Sequence, residues 1–94
     1  MDMTQVAGSH NVGQVTLFAL STCGWCRKTR QLLEANNVQY EYIYVDLLQG
    51  AAREEALREM AKWTDRQAFP TVVINGSTVI VGYDEDKLKK GLQL

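Results

Sequence analysis

A short apolar run, Val15-Thr16-Leu17-Phe18-Ala19-Leu20, passes through Ser21-Thr22 straight into Cys23-Gly24-Trp25-Cys26 and then a charged run. That last stretch, with Arg27, Lys28, Arg30, Gln31, Leu32, Leu33, Glu34 and Ala35, is made mostly of helix formers. The first is β-prone and short, as a buried strand is. The two cysteines therefore sit where a strand hands over to a helix. Asn36-Asn37, just past the last apolar position, predicts where that helix stops.

The rest of the chain continues the alternation. Tyr40-Glu41-Tyr42-Ile43-Tyr44-Val45 is rich in aromatic and β-branched residues and predicts a second strand, ended by Asp46. Gln49-Gly50 opens a helix predicted over Ala51–Lys62, with Ala52, Ala56, Leu57, Met60 and Ala61 as its apolar stripe. Trp63 to Gln67 reads as an irregular link. Two β-rich runs, Thr71 to Ile74 and Thr78 to Val81, flank Asn75-Gly76, which tolerates the positive φ values of a tight hairpin turn. Asp84-Glu85-Asp86 suits a helix start, and Lys87, Lys89 and Lys90 suit its end. The predicted order is β-α-β-α-β-β-α: an α/β domain with a four-stranded mixed sheet flanked by helices. Its parallel strands need helical crossovers, and the final hairpin adds antiparallel ones.

At 94 residues there is room for one domain. Residues 1–14, with Gly8, Ser9, Asn11 and Gly13 among few apolar groups, are expected to be a flexible leader, leaving 15–94 as the domain. His10, the only histidine, is then a solvated loop residue. A net charge of −1 argues against a nucleic-acid or anionic-lipid partner. No apolar run approaches the ~20 residues needed to span a bilayer, so no membrane role is expected. The N-terminus has no signal-peptide pattern, and the expected compartment is a reducing cytoplasm. Two cysteines three positions apart are no disulfide framework.

Unpaired N–H groups and the positive end of the helix dipole favour a thiolate at Cys23, and Arg27, Lys28 and Arg30 add positive potential. Cys26, one turn on, is expected to be less exposed and close enough to form a disulfide. Such a pair exchanges in two steps: Cys23 attacks a substrate disulfide, and Cys26 then attacks Cys23 to release the reduced product. Other readings of the pair stay open. Structural zinc needs four ligands, and His10 is the one further candidate. Two inert buried thiols are another possibility. A third is an iron–sulfur cluster shared by two chains, each lending Cys23.

From Val15 to Leu94 the sequence resembles the glutaredoxin branch of the thioredoxin superfamily, on three blocks in the family's order. Ser21-Thr22-Cys23-Gly24-Trp25-Cys26-Arg27-Lys28 is similar to the active-site loop, Phe69-Pro70-Thr71 to the loop with a cis-proline, and Val81-Gly82-Tyr83-Asp84-Glu85 to the segment that holds glutathione. The resemblance implies a thioredoxin-like fold, Cys23 as nucleophile and Cys26 as resolving thiol. A cis bond before Pro70 would present the Phe69 backbone beside Cys23 for an extended substrate. Trp25 offers a flat apolar contact, and Arg66, Asp84 and Glu85 occupy positions that meet the small thiol. Leu20 and Val81 stand where the family often has lysine and glycine, and Leu20 can form no charge-assisted bond.

The resemblance thus implies a cytoplasmic, monomeric thiol–disulfide oxidoreductase serving electron transport and cell redox homeostasis. Its expected substrates are protein or low-molecular-weight disulfides, with no tightly bound cofactor and no metal. Glutathione or another low-molecular-weight thiol would be the co-substrate, or a reductase the electron donor. The alternative is an iron–sulfur cluster-binding dimer of the same family, acting as a carrier or sensor.

Overall fold

The computed structural model describes residues 1–94. In chain order the strands and helices are β1 (Thr4–Val6), β2 (Val15–Ala19), α1 (Gly24–Ala35), β3 (Tyr40–Tyr44), α2 (Gly50–Ala61), β4 (Thr71–Ile74), β5 (Thr78–Val81) and α3 (Glu85–Gly91). A single 3-10 turn, Val45–Leu47, follows β3. The strands form one mixed sheet in the order β1-β3-β2-β4-β5, in which β2 and β3 are parallel and every other pair is antiparallel. This is a thioredoxin-like α/β fold with three helices.

Why β2 lies at the centre is explained by its composition. All five of its residues are buried, because both of its faces are covered. Val15, Leu17 and Ala19 point to one face, where they join Cys26 and Leu33 of α1 and Leu88 of α3 in a twelve-residue cluster. Phe18 points to the other, with Ile43, Val45, Val73 and, from α2, Ala56 and Met60. Two helices thus cover one face and α2 the other. Burying a side chain the size of Leu17 or Phe18 contributes about 1.5–3 kcal/mol.

Local signals explain where the elements end. Asn36 caps α1, its side-chain amide donating to Leu32 O at 2.8 Å, and Asn37 takes the left-handed conformation at φ 55°. Asn75 and Gly76 both have positive φ, 53° and 63°, as the hairpin turn requires. Asp84 caps α3 by accepting the Lys87 N–H at 3.1 Å. The stripe of α2 is narrower than expected. Ala56 and Met60 are buried and Leu57 packs beside them, while Ala52 and Ala61 are exposed, since only one line of the helix faces the sheet.

The sheet has five strands, not four, and the extra one comes from the segment expected to be a flexible leader. Thr4, Gln5 and Val6 pair with Tyr42, Glu41 and Tyr40, giving β3 a second neighbour. His10 is not a solvated loop residue. Its backbone bridges the Asn37–Gln39 segment, with His10 N–H donating to Asn37 O at 2.8 Å and His10 O accepting from Gln39 N–H at 3.0 Å. Its Nε2 lies 2.7 Å from Leu92 O. Backbone pairing holds this segment, and backbone pairing leaves no apolar periodicity to read in so short a strand.

Candidate active site

Strand register gathers one set of loops at one end of the sheet. Ala19, the last residue of β2, pairs with Tyr44, the last of β3, and Thr71, the first of β4, pairs with Val81, the last of β5. The loops leading into α1, β4 and α3 therefore meet there, and they carry Cys23, Phe69-Pro70 and Tyr83-Asp84. No helix of the chain is long and apolar enough to cross a membrane.

Cys23 is the N-cap of α1. Its Sγ accepts the Cys26 backbone N–H at 3.1 Å, and it lies 3.9 Å from the carbonyl oxygen of Phe69. Such an N-cap sulfur receives one of the helix's otherwise unpaired donors. Both cysteines are free thiols: Cys23 is partly exposed and Cys26 is buried. Burial first of all, then the hydrogen bond to Cys23 and its charge, push the Cys26 thiol up to about 12. One sulfur is thus open to reagents and the other is kept protonated behind it.

The loop into α1 is pinned from the end of β3. Asp46 accepts the Ser21 backbone N–H at 2.8 Å and the Ser21 hydroxyl as well. Those two bonds hold its carboxyl below the usual carboxylate range. One turn into α1, the Thr29 hydroxyl donates to Trp25 O at 2.8 Å. The Trp25 ring is 58% exposed, and it stacks on Tyr83 with centroids 5.5 Å apart while the Lys28 ammonium sits 5.6 Å from its centre. Together the two rings form a flat aromatic shelf beside Cys23.

The bond between Phe69 and buried Pro70 is cis. Pro70 O accepts the Gly82 N–H at 2.7 Å, which ties the loop before β4 to the one after β5. Cys23, Cys26, Trp25, Phe69 and Pro70 are so brought together at one end. The remaining sequence candidates are placed differently. Asp84 is occupied as the α3 cap, and Glu85 pairs with Lys89 at 3.5 Å. Arg66 is exposed, and its backbone N–H donates to Thr64 Oγ1 at 3.1 Å. No hydrogen bond or ion pair joins any of these three to either thiol. His10, the one further metal-ligand candidate, is engaged at Leu92, and no three His, Cys, Asp or Glu side chains are grouped to hold a metal.

Two contributors, Tyr83 and Asp46, had no role assigned from the sequence, and Arg30, expected only to add positive potential, has a further one. Tyr83 follows Gly82, whose φ is 83°, and that turn aims it at Trp25. Asp46 reads locally as a strand terminator, and only the parallel β2–β3 pairing brings it under Ser21. Arg30 lies across the three tyrosines of β3, its guanidinium 4.0 Å from the Tyr42 ring centre and bonded to the Tyr40 and Tyr44 hydroxyls at 3.0 and 2.8 Å. The Tyr-x-Tyr-x-Tyr alternation was the signal, since it puts all three rings on one face.

The family model of glutaredoxin matches residues 15–79. The chain belongs to the glutaredoxin family. Its fold is similar to that of the glutaredoxin of Methanosarcina mazei Go1, with a TM-score of 0.88 and 38% identity over 98% of this chain and 88% of that one. It is similar as well to Methanosarcina acetivorans methanoredoxin, with a TM-score of 0.91 and 31% identity over 97% and 96% of the two chains. A glutaredoxin-like 8.6 kDa protein in the rubredoxin operon of Clostridium pasteurianum is 25% identical over 76 residues, 81% of this chain and 93% of its own. Within the glutaredoxins, Cys23-Gly24-Trp25-Cys26 fits the dithiol type.

Proposed function

We propose that the chain is a thiol–disulfide oxidoreductase that reduces protein or low-molecular-weight disulfides by exchange through Cys23 and Cys26. One observation carries this: the partly exposed Cys23 sulfur accepts the Cys26 N–H, while the buried Cys26 thiol is pushed up to about 12. That asymmetry assigns the two roles. The Cys23 thiolate attacks one sulfur of the substrate disulfide, whose S–S bond breaks as the second sulfur leaves as a thiolate and takes up a proton. A mixed disulfide on Cys23 remains. Its formation removes both the charge of Cys23 and its claim on the Cys26 proton, two of the causes that hold the Cys26 thiol up. Cys26 then loses its proton, attacks Cys23 and expels the reduced product. Two thiols have become one disulfide, and the substrate has gained the electron pair.

Two equivalents of glutathione or of another small thiol restore the pair, as would a separate reductase. The Phe69 carbonyl and the Trp25–Tyr83 shelf suit an extended substrate lying across the sulfur. Arg66, Asp84 and Glu85 remain candidates for the small thiol, with Asp84 able to offer only the carboxylate oxygen its cap leaves free.

The test is disulfide reduction by three proteins. Cys23→Ser is expected to fall to the uncatalysed rate. Cys26→Ser is expected to accumulate one equivalent of mixed disulfide on Cys23, visible as a mass increment that dithiothreitol removes. Near-wild-type turnover of insulin or hydroxyethyl disulfide by both variants would end the proposal.

A further inference from the structure

Asn75-Gly76 makes the turn between β4 and β5, and the asparagine side chain has a second task. Its Oδ1 accepts the Gln14 N–H and its Nδ2 donates to Val12 O, both at 2.8 Å, so each end of the amide is tied to the stretch that leads into β2. Packing there is close, since a Cβ on Gly13 would stand 2.1 Å from Oδ1. The stretch itself is lightly held. Asn11, Gly13 and Gln14 are exposed, and the other side-chain hydrogen bonds of residues 12–14 are Gly13 N–H to Asn11 Oδ1 at 2.9 Å and Gln14 Nε2 to Glu41 at 3.3 Å. Asn75 is exposed as well. An asparagine before glycine is also the pairing most open to attack on its own side-chain amide, because no side chain on the next residue shields the attacking nitrogen. The other three asparagines, Asn11, Asn36 and Asn37, precede valine or asparagine.

We propose that Asn75 is a latent deamidation site, kept intact by its bonds to residues 12–14 and opened to conversion when that stretch lifts. In the reaction the Gly76 backbone nitrogen gives up its proton and bonds to Asn75 Cγ. The Cγ–Nδ2 bond breaks, Nδ2 leaves as ammonia with that proton, and a cyclic imide remains. Water then opens the ring: at the side-chain carbonyl it gives aspartate, at the main-chain carbonyl isoaspartate. Nothing is oxidised or reduced, and water is the only co-reactant. The attack needs the nitrogen and Cγ aligned at near contact. A carboxamide tied at both Oδ1 and Nδ2 cannot turn to meet that nitrogen, so the fold withholds the geometry that the sequence offers. Conversion runs one way. Either product has exchanged the Nδ2 donor for a carboxylate, so the bond to Val12 O cannot form again, and isoaspartate also lengthens the main chain of the turn.

The test follows the reduced protein in mildly alkaline buffer, with and without urea, by proteolysis and chromatography that separates asparaginyl, aspartyl and isoaspartyl peptides. In urea, Asn75 is expected to convert well before Asn11, Asn36 and Asn37. In native buffer its conversion should be slower by about tenfold or more, the protection given by two side-chain bonds that must open first. Gly13→Ala, whose methyl would displace Oδ1, should convert severalfold faster than wild type in native buffer while its circular dichroism stays that of the folded chain. If Gly13→Ala fails to fold, the wild-type ratio of urea to native rates decides the matter. Asn75→Asp, which installs the aspartate product directly, should speed hydrogen exchange of the Gln14 N–H severalfold and leave the alkylation rate of Cys23 unchanged. Equal rates in urea and native buffer would overturn the proposal, as would folded Gly13→Ala protein that converts no faster than wild type. So would an Asn75 that, in urea, converts no faster than the other three asparagines.

Discussion

At the end of the sheet where β2 and β3 finish, the chain turns its reactive groups outward: the Cys23 sulfur is partly exposed and the Trp25 ring is exposed. At the opposite end, where β2 begins, side chains tie distant stretches of backbone together. Asn75 alone makes three such bonds: its side chain takes the Gln14 N–H and gives to Val12 O, both at 2.8 Å, and its own N–H donates to Gln14 O at 2.8 Å. His10 there joins the Asn37–Gln39 segment to the C-terminal Leu92. Both ends grow from the same five strands. The difference teaches that the two ends are held by separate sets of bonds, Asp46–Ser21 and Pro70–Gly82 at the reactive one, so each end should be changeable without the other.

The largest break in that contrast is expected from Gly8→Ala. A Cβ at Gly8 would stand 2.3 Å from Asn37 O and 2.6 Å from the Val38 carbonyl carbon, both backbone atoms that cannot turn aside. The added methyl should cost about 1–3 kcal/mol, the range for overfilling a packed site. A lower urea midpoint and faster exchange of the Gln39 N–H would register it. Cys23 should keep its alkylation rate, and a slower rate would mean that the two ends are coupled after all.

Asn75→Ala comes next. It removes two side-chain bonds to backbone and leaves alanine at φ 53°, where asparagine is better tolerated. Because the site is exposed and water replaces part of what is lost, about 1 kcal/mol is expected from the typical net value of such bonds. An unchanged denaturation midpoint would refute the view that the Asn75 side chain anchors residues 12–14.

The same contrast explains how much could be read in advance. At the reactive end, the strand-to-helix junction, the cysteine spacing and the proline before β4 are local features, each legible within a few residues. The turn at Asn75-Gly76 and the stop at Asn36-Asn37 are local too, because they depend on which residues tolerate positive φ. What could not be read depends on pairing between distant segments. β1 has three residues and no apolar pattern of its own, so nothing short of the exposed edge of β3 announces it. Asp46 beneath Ser21, Tyr83 against Trp25 and Arg30 across three tyrosines likewise require the sheet order before they can meet.

The smallest effect at neutral pH, and the one that sharpens the contrast most, concerns Cys26. Its thiol is raised from an ordinary value of 9.0 to about 12 in the folded, reduced protein, chiefly by burial. The folded state therefore holds a proton there that the unfolded state has given up, so the sign is fixed: the contribution to stability is full below pH 9 and declines as pH rises towards 12. Reduced wild-type protein should accordingly lose stability above pH 9, in a slope that Cys26→Ala lessens, while the Tyr40 hydroxyl, raised by burial too, keeps its own share in both proteins. The variant also empties the site of its sulfur, so the slope is compared and not the absolute stability. Oxidation to the Cys23–Cys26 disulfide takes away the titrating proton and should flatten the curve in the same way. A reduced protein whose stability stays level from pH 8 to 11 would mean that the Cys26 thiol ionises as easily folded as unfolded. Burial would then not hold the Cys26 proton, and the division of roles between the two sulfurs would rest on exposure alone.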